Sequence, residues 1–455
     1  METSLARENL KVNRFVKRKS LLLMGVFYIQ IFSYIVLSNA FTINFGDRFP
    51  IKISEFFSIF TILIVAVLFI ISNKKISIKK SKEKWVYVWI TYIILLDILC
   101  IAINKYTFND FVYGFLYVLR LVHLLMVAKS LHYIMRDQGI KTKNIIKFIK
   151  ACYFIVVIIG VFQYFFYPIA FDWYDVFYKV GFYWPTPDPH HDRMLSTYLD
   201  PNYLASCLII PISICIAQLL NIRKKSVRNT NLKIKLGFEI LVFIVAILLT
   251  KSRSGIVGLA VVFVVYAFLY GIKRKISVPM LIFIFVSLFT IAYLLLFSNI
   301  TVFERIRNFS SDPSAMHRFD SWKISLEYFK DSHYLGIGYN MLGAYKVNIG
   351  EEVGNAANYG MDSSILFMLV TTGIVGVLIF LYGIIKIIFN RKKVIINNSL
   401  KMILVSSIAM SFFNNLLFNV IWLLPVLLLG TMIKEKKKIT IRKKMENNNE
   451  SIINQ

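Results

Sequence analysis

The chain has 455 residues, 57% of them hydrophobic, with a formal net charge of +28 and a mean hydropathy of +0.63. Repeated apolar runs of about 20 residues exclude a single water-soluble core. The basic residues lie in short loops between those runs and form no aromatic-interleaved patch on a folded domain, which argues against nucleic acid as a partner and fits the rule that cationic loops stay on the cytoplasmic side of a membrane.

In chain order, the pattern predicts an all-α polytopic membrane protein with about 12 transmembrane helices. Residues 1–20 are basic and read as a cytoplasmic N-terminus. The first apolar run is too long for a signal peptide and lacks a small-residue cleavage site, so it reads as a first span. The transmembrane domain covers 21–433, with spans expected at 21–41, 55–72, 85–103, 111–134, 151–167, 202–220, 236–250, 256–271, 278–297, 363–389, 400–413 and 418–433. The stretches 73–82, 136–150, 223–235, 273–275 and 391–393 are basic and read as cytoplasmic loops, and 434–455 is a basic cytoplasmic tail. With this count every basic loop falls on one face. Both termini are then cytoplasmic, and the loops 168–200, 251–255 and 298–362 face outward. The last, between the ninth and tenth spans, is the large extracytoplasmic loop, where chemistry or recognition is expected to concentrate. Backbone in hydrocarbon must bond to itself, so the spans are helices. No inverted repeat of the kind common in secondary transporters is evident.

The four cysteines, Cys100, Cys152, Cys207 and Cys215, fall in apolar runs without CxxC spacing. They read as small buried side chains rather than as a disulfide framework or metal site. His190 and His191 are adjacent, a poor arrangement for converging on one ion, and no metal or cofactor is expected.

Lys251 and Arg253 flank Ser252 between two short spans. Two cations at a membrane edge, followed by the free N–H groups of a helix start, can hold a phosphate or pyrophosphate; they can equally be snorkelling interface residues. Arg193 opens a segment that ends at Asp200-Pro201-Asn202, where Asp200 is a good helix cap with Pro201 at the first helical position. Arg193 itself is open to two readings, an anion contact or a salt bridge to Asp188 or Asp192. Arg318 and Trp322, four apart, share a helix face; Arg318 is a candidate phosphate or sugar contact, and Trp322 either joins it or anchors the helix by packing. Asp362 is either the N-cap of the following span or a general base toward a sugar hydroxyl. Arg120 and His123 lie inside a span, where charge usually faces a cavity or a partner, although Arg120 can also snorkel outward.

Three segments, taken in order, resemble the O-antigen ligase/polymerase superfamily, the Wzy- and WaaL-like bacterial glycan enzymes. They are Arg193…Ser196-Thr-Tyr-Leu-Asp-Pro-Asn202; Thr250-Lys-Ser-Arg-Ser-Gly255; and Arg318…Trp322…Gly336-Ile-Gly338…Asp362-Ser363…Gly373-Ile-Val-Gly376. The resemblance implies metal-independent glycosyl transfer on the outer face of the bacterial cytoplasmic (inner) membrane. The implied donor is an oligosaccharide on undecaprenyl pyrophosphate. Arg193, Lys251, Arg253 and Arg318 would serve the pyrophosphate, with Asn202 and Trp322 as further substrate contacts. Asp362 and Arg318 would be catalytic. Ligase relatives carry a His where this chain has Asp362, a departure compatible with a polymerase. The expected function is therefore polymerisation of lipid-linked repeat units into a capsule or surface polysaccharide. The alternatives are ligase-type transfer to another acceptor and, from a different class, a flippase or transporter. Besides the lipid-linked glycan and the bilayer, a flippase and a chain-length regulator are candidate partners.

Overall fold

The computed structural model describes residues 20–45, 49–71, 84–104, 106–182, 190–222, 227–274, 313–351, 361, 363–390 and 395–433. The expected N-terminal segment 1–19, the basic stretches 73–82 and 391–393, the ninth span 278–297, Asp362 and the tail 434–455 lie outside the described residues.

Almost every described element is helical. In chain order these are α1 (Ser20–Leu37), α2 (Ile53–Ile71), α3 (Lys84–Asn104), α4 (Phe108–Asp137), α5 (Thr142–Phe166), α6 (Ala170–Tyr178), α7 (Pro201–Asn221), α8 (Val227–Leu249), α9 (Arg253–Arg274), α10 (Pro313–Asp331), α11 (Leu342–Asn348), α12 (Ser364–Ile388), α13 (Ile395–Met410) and α14 (Val420–Met432). Among the described residues seven helices are long and apolar enough to cross a membrane: α1, α3, α4, α5, α7, α9 and α12. Residues 53–68 of α2, α13 and α14 are shorter apolar helices. The chain is a multi-pass helical membrane protein.

The centre is α7, whose residues from Leu204 to Ala217 are buried almost without exception. It packs against α8, α9 and α13, while α4 packs against α2 and α14 and α3 against α12. Helix starts are fixed by local chemistry. Thr107 and Asp110 form a reciprocal capping box at α4. Asp200 accepts the N–H groups of Asn202 and Tyr203 at 2.7 and 2.8 Å, with Pro201 next in line, as expected from the sequence.

Three expectations change. The stretch 136–150 is not a long loop, because α5 begins at Thr142. Lys150 can sit inside the bundle since Glu239 of α8 lies 2.5 Å from its amine. Likewise α8 begins at Val227, so most of the basic stretch 223–235 is the first turns of a helix. Third, the connection between α1 and α2 contains a small antiparallel hairpin, β1 (Thr42–Phe45) and β2 (Phe49–Lys52). The described part of the long loop 298–362 is built of α10, α11 and a clamped turn between them.

That turn, Gly336-Ile337-Gly338-Tyr339, docks where α12 breaks. The Ile337 and Gly338 N–H groups donate to Val370 and Thr371 at 2.9 and 3.1 Å, and Ile374 donates back to Tyr334 at 3.3 Å. Gly373 sits at φ +67° with extended ψ, a conformation disfavoured for residues with a side chain; a Cβ there would lie 2.1 Å from the Leu335 carbonyl oxygen. The glycine pairs around 336–338 and 373–376 are thus two halves of one backbone interlock. From the other side, Asp97 of α3 accepts the Tyr339 N–H at 2.6 Å and Tyr106 donates to the Ile337 carbonyl at 2.9 Å.

Candidate functional site: a polar cavity at one end of the bundle

The hairpin, the stretch after α1, α4 at Tyr117–Leu121, α6, the segment 190–200, the starts of α7, α12 and α14 and the turn at Tyr339 surround a cavity of about 480 Å³. Its floor is aromatic. Phe367, Phe418 and Tyr339 line it, with ring centroids 5.6–5.9 Å apart, and Trp89 stacks beneath Phe418 at 5.9 Å. Its walls carry the carboxamides of Asn39, Asn340, Asn415 and Asn419. Asn39 donates to the Tyr198 carbonyl at 2.9 Å, but its buried Oδ1 accepts no hydrogen bond among the described residues. An apolar ring face below neutral donors and acceptors is the chemistry that binds a sugar.

One wall is the segment 190–200. Gln163 of α5 clasps it, with its Oε1 accepting the Leu195 N–H at 2.7 Å and its Nε2 donating to the Arg193 carbonyl at 3.3 Å. Trp173 and Tyr174 of α6 donate to the Ser196 and Leu199 carbonyls at 2.8 and 2.9 Å. Of the eight described non-glycine residues with left-handed φ, Asp192, Ser196 and Leu199 are here and Lys251 is in the neighbouring turn. Such conformations persist only where surrounding bonds over-determine them, and they concentrate at functional sites.

Arg193, Asn202 and Ser252, far apart in sequence, form one cluster behind this wall. Arg193 is buried. Its Nε donates to the Thr250 carbonyl at 2.9 Å, its Nη2 to Asn202 Oδ1 at 3.3 Å, and its Nη1 lies 3.3 Å from His190 Nδ1. Asn202 Oδ1 also accepts the Ser252 hydroxyl at 2.8 Å. Asp188, one partner of the salt-bridge reading, lies outside the described residues; within them the guanidinium welds the segment before α7 to the turn before α9. Lys251 and Arg253 flank the turn, half-buried, with α9 starting at Arg253 itself. His190, Asp200 and Tyr203 carry the cluster to the cavity surface.

Trp322 of α10 is half-buried against Phe413 at the end of α13, 6.2 Å between ring centroids, beside the Asn415 wall. Its indole N–H has no partner among the described residues. Arg318 lies on the same helix, but its side chain, like Asp362, is outside what is described. Ser363, next to Asp362, caps α12 by accepting the Leu366 N–H at 3.3 Å, which takes the N-cap position that the sequence reading offered to Asp362.

The cavity is also lined by Arg120, which the sequence marked, and by Lys52, held with Glu55, which it did not. Arg120 faces the cavity, forming an ion pair with Glu55 (Nε to Oε1 2.7 Å, Nη2 to Oε2 3.2 Å), donating to the Pro50 carbonyl and lying over the Tyr117 ring. This is the cavity reading, not snorkelling. His123 instead bonds Ser58 of α2. Glu55 Oε2 also accepts the Lys52 N–H at 3.0 Å, and the Lys52 side chain lines the cavity. Burial, with a smaller push from Arg120, lowers the Lys52 ammonium from its ordinary 10.5 to about 7. Burial likewise pushes the Tyr339 phenol up, so it remains a neutral donor. The legible signal was a carboxylate at the start of one apolar span and an arginine inside another, since charges at membrane depth seek each other.

No curated protein matches the chain. Residues 239–381, from α8 into α12, match the Wzy_C family, described as O-antigen ligase. The matched stretch contains Lys251, Arg253, Trp322 and the Gly336–Gly373 interlock. Arg193 and Asn202 lie outside it and join it through Thr250 and Ser252. Over these residues the chain is similar to that family, which supports the O-antigen ligase/polymerase superfamily and, in the broad sense, a glycosyltransferase-like activity.

Proposed function

We propose that the chain polymerises undecaprenyl-pyrophosphate-linked oligosaccharide repeat units on the outer face of the cytoplasmic membrane, with about 12 spans and both termini inside. The observation that carries this reading is the joining of the Arg193–Asn202–Ser252 network to a sugar-sized cavity with an aromatic floor and carboxamide walls. A lipid-linked sugar needs both halves, cations for its pyrophosphate and a neutral polar pocket for its ring. Lys251 and Arg253, at the helix start, contact the pyrophosphate. Arg193 adds buried positive charge and holds the turn in place, and Arg318 and Trp322 of α10 serve as further substrate contacts.

In the reaction, an acceptor sugar hydroxyl attacks the anomeric carbon as the bond from that carbon to the pyrophosphate oxygen breaks. The polyprenyl pyrophosphate leaves as an anion stabilised by the arginines, and the hydroxyl proton passes to the carboxylate of Asp362, with inversion at the anomeric carbon. No metal or cofactor takes part.

The name of the matched family favours a second reading, ligase-type transfer of a finished glycan to another acceptor. Cells lacking the protein separate the two. Loss of a polymerase leaves single lipid-linked repeat units, and loss of a ligase leaves long chains on the lipid carrier. Repeat units trapped on the cytoplasmic face would overturn both and indicate transport.

A further inference from the structure

Resting on the reading of this cavity as the glycolipid site, we propose that the Lys52 ammonium is an anion-binding group of the cavity, engaging an acidic group of the bound glycolipid from the hairpin. The acidic group is either the pyrophosphate or a carboxylate carried on the sugar.

Three observations converge. First, the hairpin ends with the Lys52 side chain on the cavity surface, and its backbone N–H is held by Glu55 at 3.0 Å. Second, the local charge does not balance. Glu55 is the carboxylate of this wall, and both its oxygens are taken by Arg120, at 2.7 and 3.2 Å, with Oε2 shared by the Lys52 N–H. Two cations therefore share one carboxylate. Among the described residues no carboxylate forms an ion pair with the Lys52 amine. Third, Arg120 is occupied, bonding the Pro50 carbonyl and Glu55, so it fastens the hairpin while Lys52 faces the space. A half-buried cation without a carboxylate partner carries a desolvation cost that an anion offsets. An anion placed in the cavity would supply that partner.

The environment gives the subsite a pH signature. Held at about 7 by its surroundings, the amine is only partly protonated at neutral pH, and an incoming anion favours its charged form. Binding then takes up a proton, so affinity is greatest below pH 7 and falls by up to about tenfold for each pH unit above it. The other charged and titratable groups around the amine are few in kind. Glu55 and Arg120 stand on its own side. His190, Asp200, Tyr174 and Tyr203 also line the cavity. Tyr117, Tyr339 and Cys207 complete the set. Phenols ordinarily ionise near pH 10, thiols near 8.5 and carboxylic acids near 4, so the group of this set whose ordinary value lies nearest neutrality is the imidazole of His190.

The test is binding to the purified full-length protein in nanodiscs, between pH 6 and 9, with two probes. One is a polyprenyl pyrophosphate diester carrying a neutral sugar, whose charge is constant over this range. The other is a lipid-free oligosaccharide containing a uronic acid. Lys52→Gln is expected to weaken one of them by about ten- to hundredfold and to abolish its pH slope. Weakened binding of the first probe assigns the pyrophosphate, and of the second the acidic sugar. Lys52→Arg, permanently charged, should keep the affinity and flatten the slope, which a structural role for Lys52 does not predict. The slope should survive in His190→Gln. If Lys52→Gln binds both probes like the parent protein, or if Lys52→Arg behaves like Lys52→Gln, the proposal is overturned. Because affinity is read without turnover, a protein that binds through Lys52 yet elongates nothing would sink the polymerase reading and leave this one standing.

Discussion

Replacing Glu55 by Ala would leave Arg120 and Lys52 facing each other with no carboxylate between them. The Arg120 and Glu55 side chains are 11% and 8% exposed, so water screens the loss poorly. Two unit charges about 4 Å apart interact by about 4 kcal/mol at an effective dielectric near 20, and removing one member of a buried pair typically costs about 3–5 kcal/mol. The lost acceptor for the Lys52 N–H falls within that range. Glu55→Ala is therefore expected to lower stability by about 3–5 kcal/mol, read by chemical or thermal unfolding of the detergent-purified protein. The paired change Glu55→Leu with Arg120→Met removes both charges and should recover most of the loss, while still detaching the hairpin from α4 and impairing the cavity. A Glu55→Ala protein within about 1 kcal/mol of the parent would refute the claim that this ion pair fastens the hairpin.

The second buried pair makes a parallel case: Glu239→Ala strands the Lys150 amine between α5 and α8 and should cost about 3–5 kcal/mol in the same unfolding assay, with Cys215 and Gln218 unable to replace the charge. Gly373→Ala places a Cβ against the Leu335 carbonyl oxygen at 2.1 Å in a left-handed conformation; about 3 kcal/mol or more of destabilisation is expected, visible as protease sensitivity of the turn at 336–339. Asn202→Leu strips the acceptor shared by Arg193 and Ser252, and is expected to cost about 1–3 kcal/mol and to abolish glycan elongation in cells at normal protein levels. Ser252→Ala removes one donor from the same oxygen and should be milder on both measures.

Much of this architecture was readable from hydropathy because the membrane imposes one rule, about 20 apolar residues per helix. Helices α3, α7 and α9 begin within a few residues of where the apolar runs start. The meeting of Arg193 with the Ser252 turn followed only from the order of weak motifs, yet the two are bonded through Asn202 and Thr250. Basic stretches misled where a partner was hidden. Lys150 reads as a loop residue until Glu239, 89 positions away, is seen beside it. The hairpin escaped notice for a different reason: two four-residue strands are too short to register in windows scaled to membrane helices. With it went Lys52 and Glu55, because a charge at a span edge looks like ordinary interface composition until the fold shows what it faces.

The most direct test of the central claim is reconstitution of the purified protein in proteoliposomes with a polyprenyl-pyrophosphate-linked repeat unit as sole glycan, beside an Arg253→Ala variant of matched amount. The account predicts a ladder of products differing by whole repeat units from the parent protein and only single units from the variant, without added metal. Equal ladders from both would contradict the role of the Arg193–Ser252–Arg253 corner, and transfer only when a separate non-lipid acceptor is supplied would contradict the polymerase in favour of the ligase.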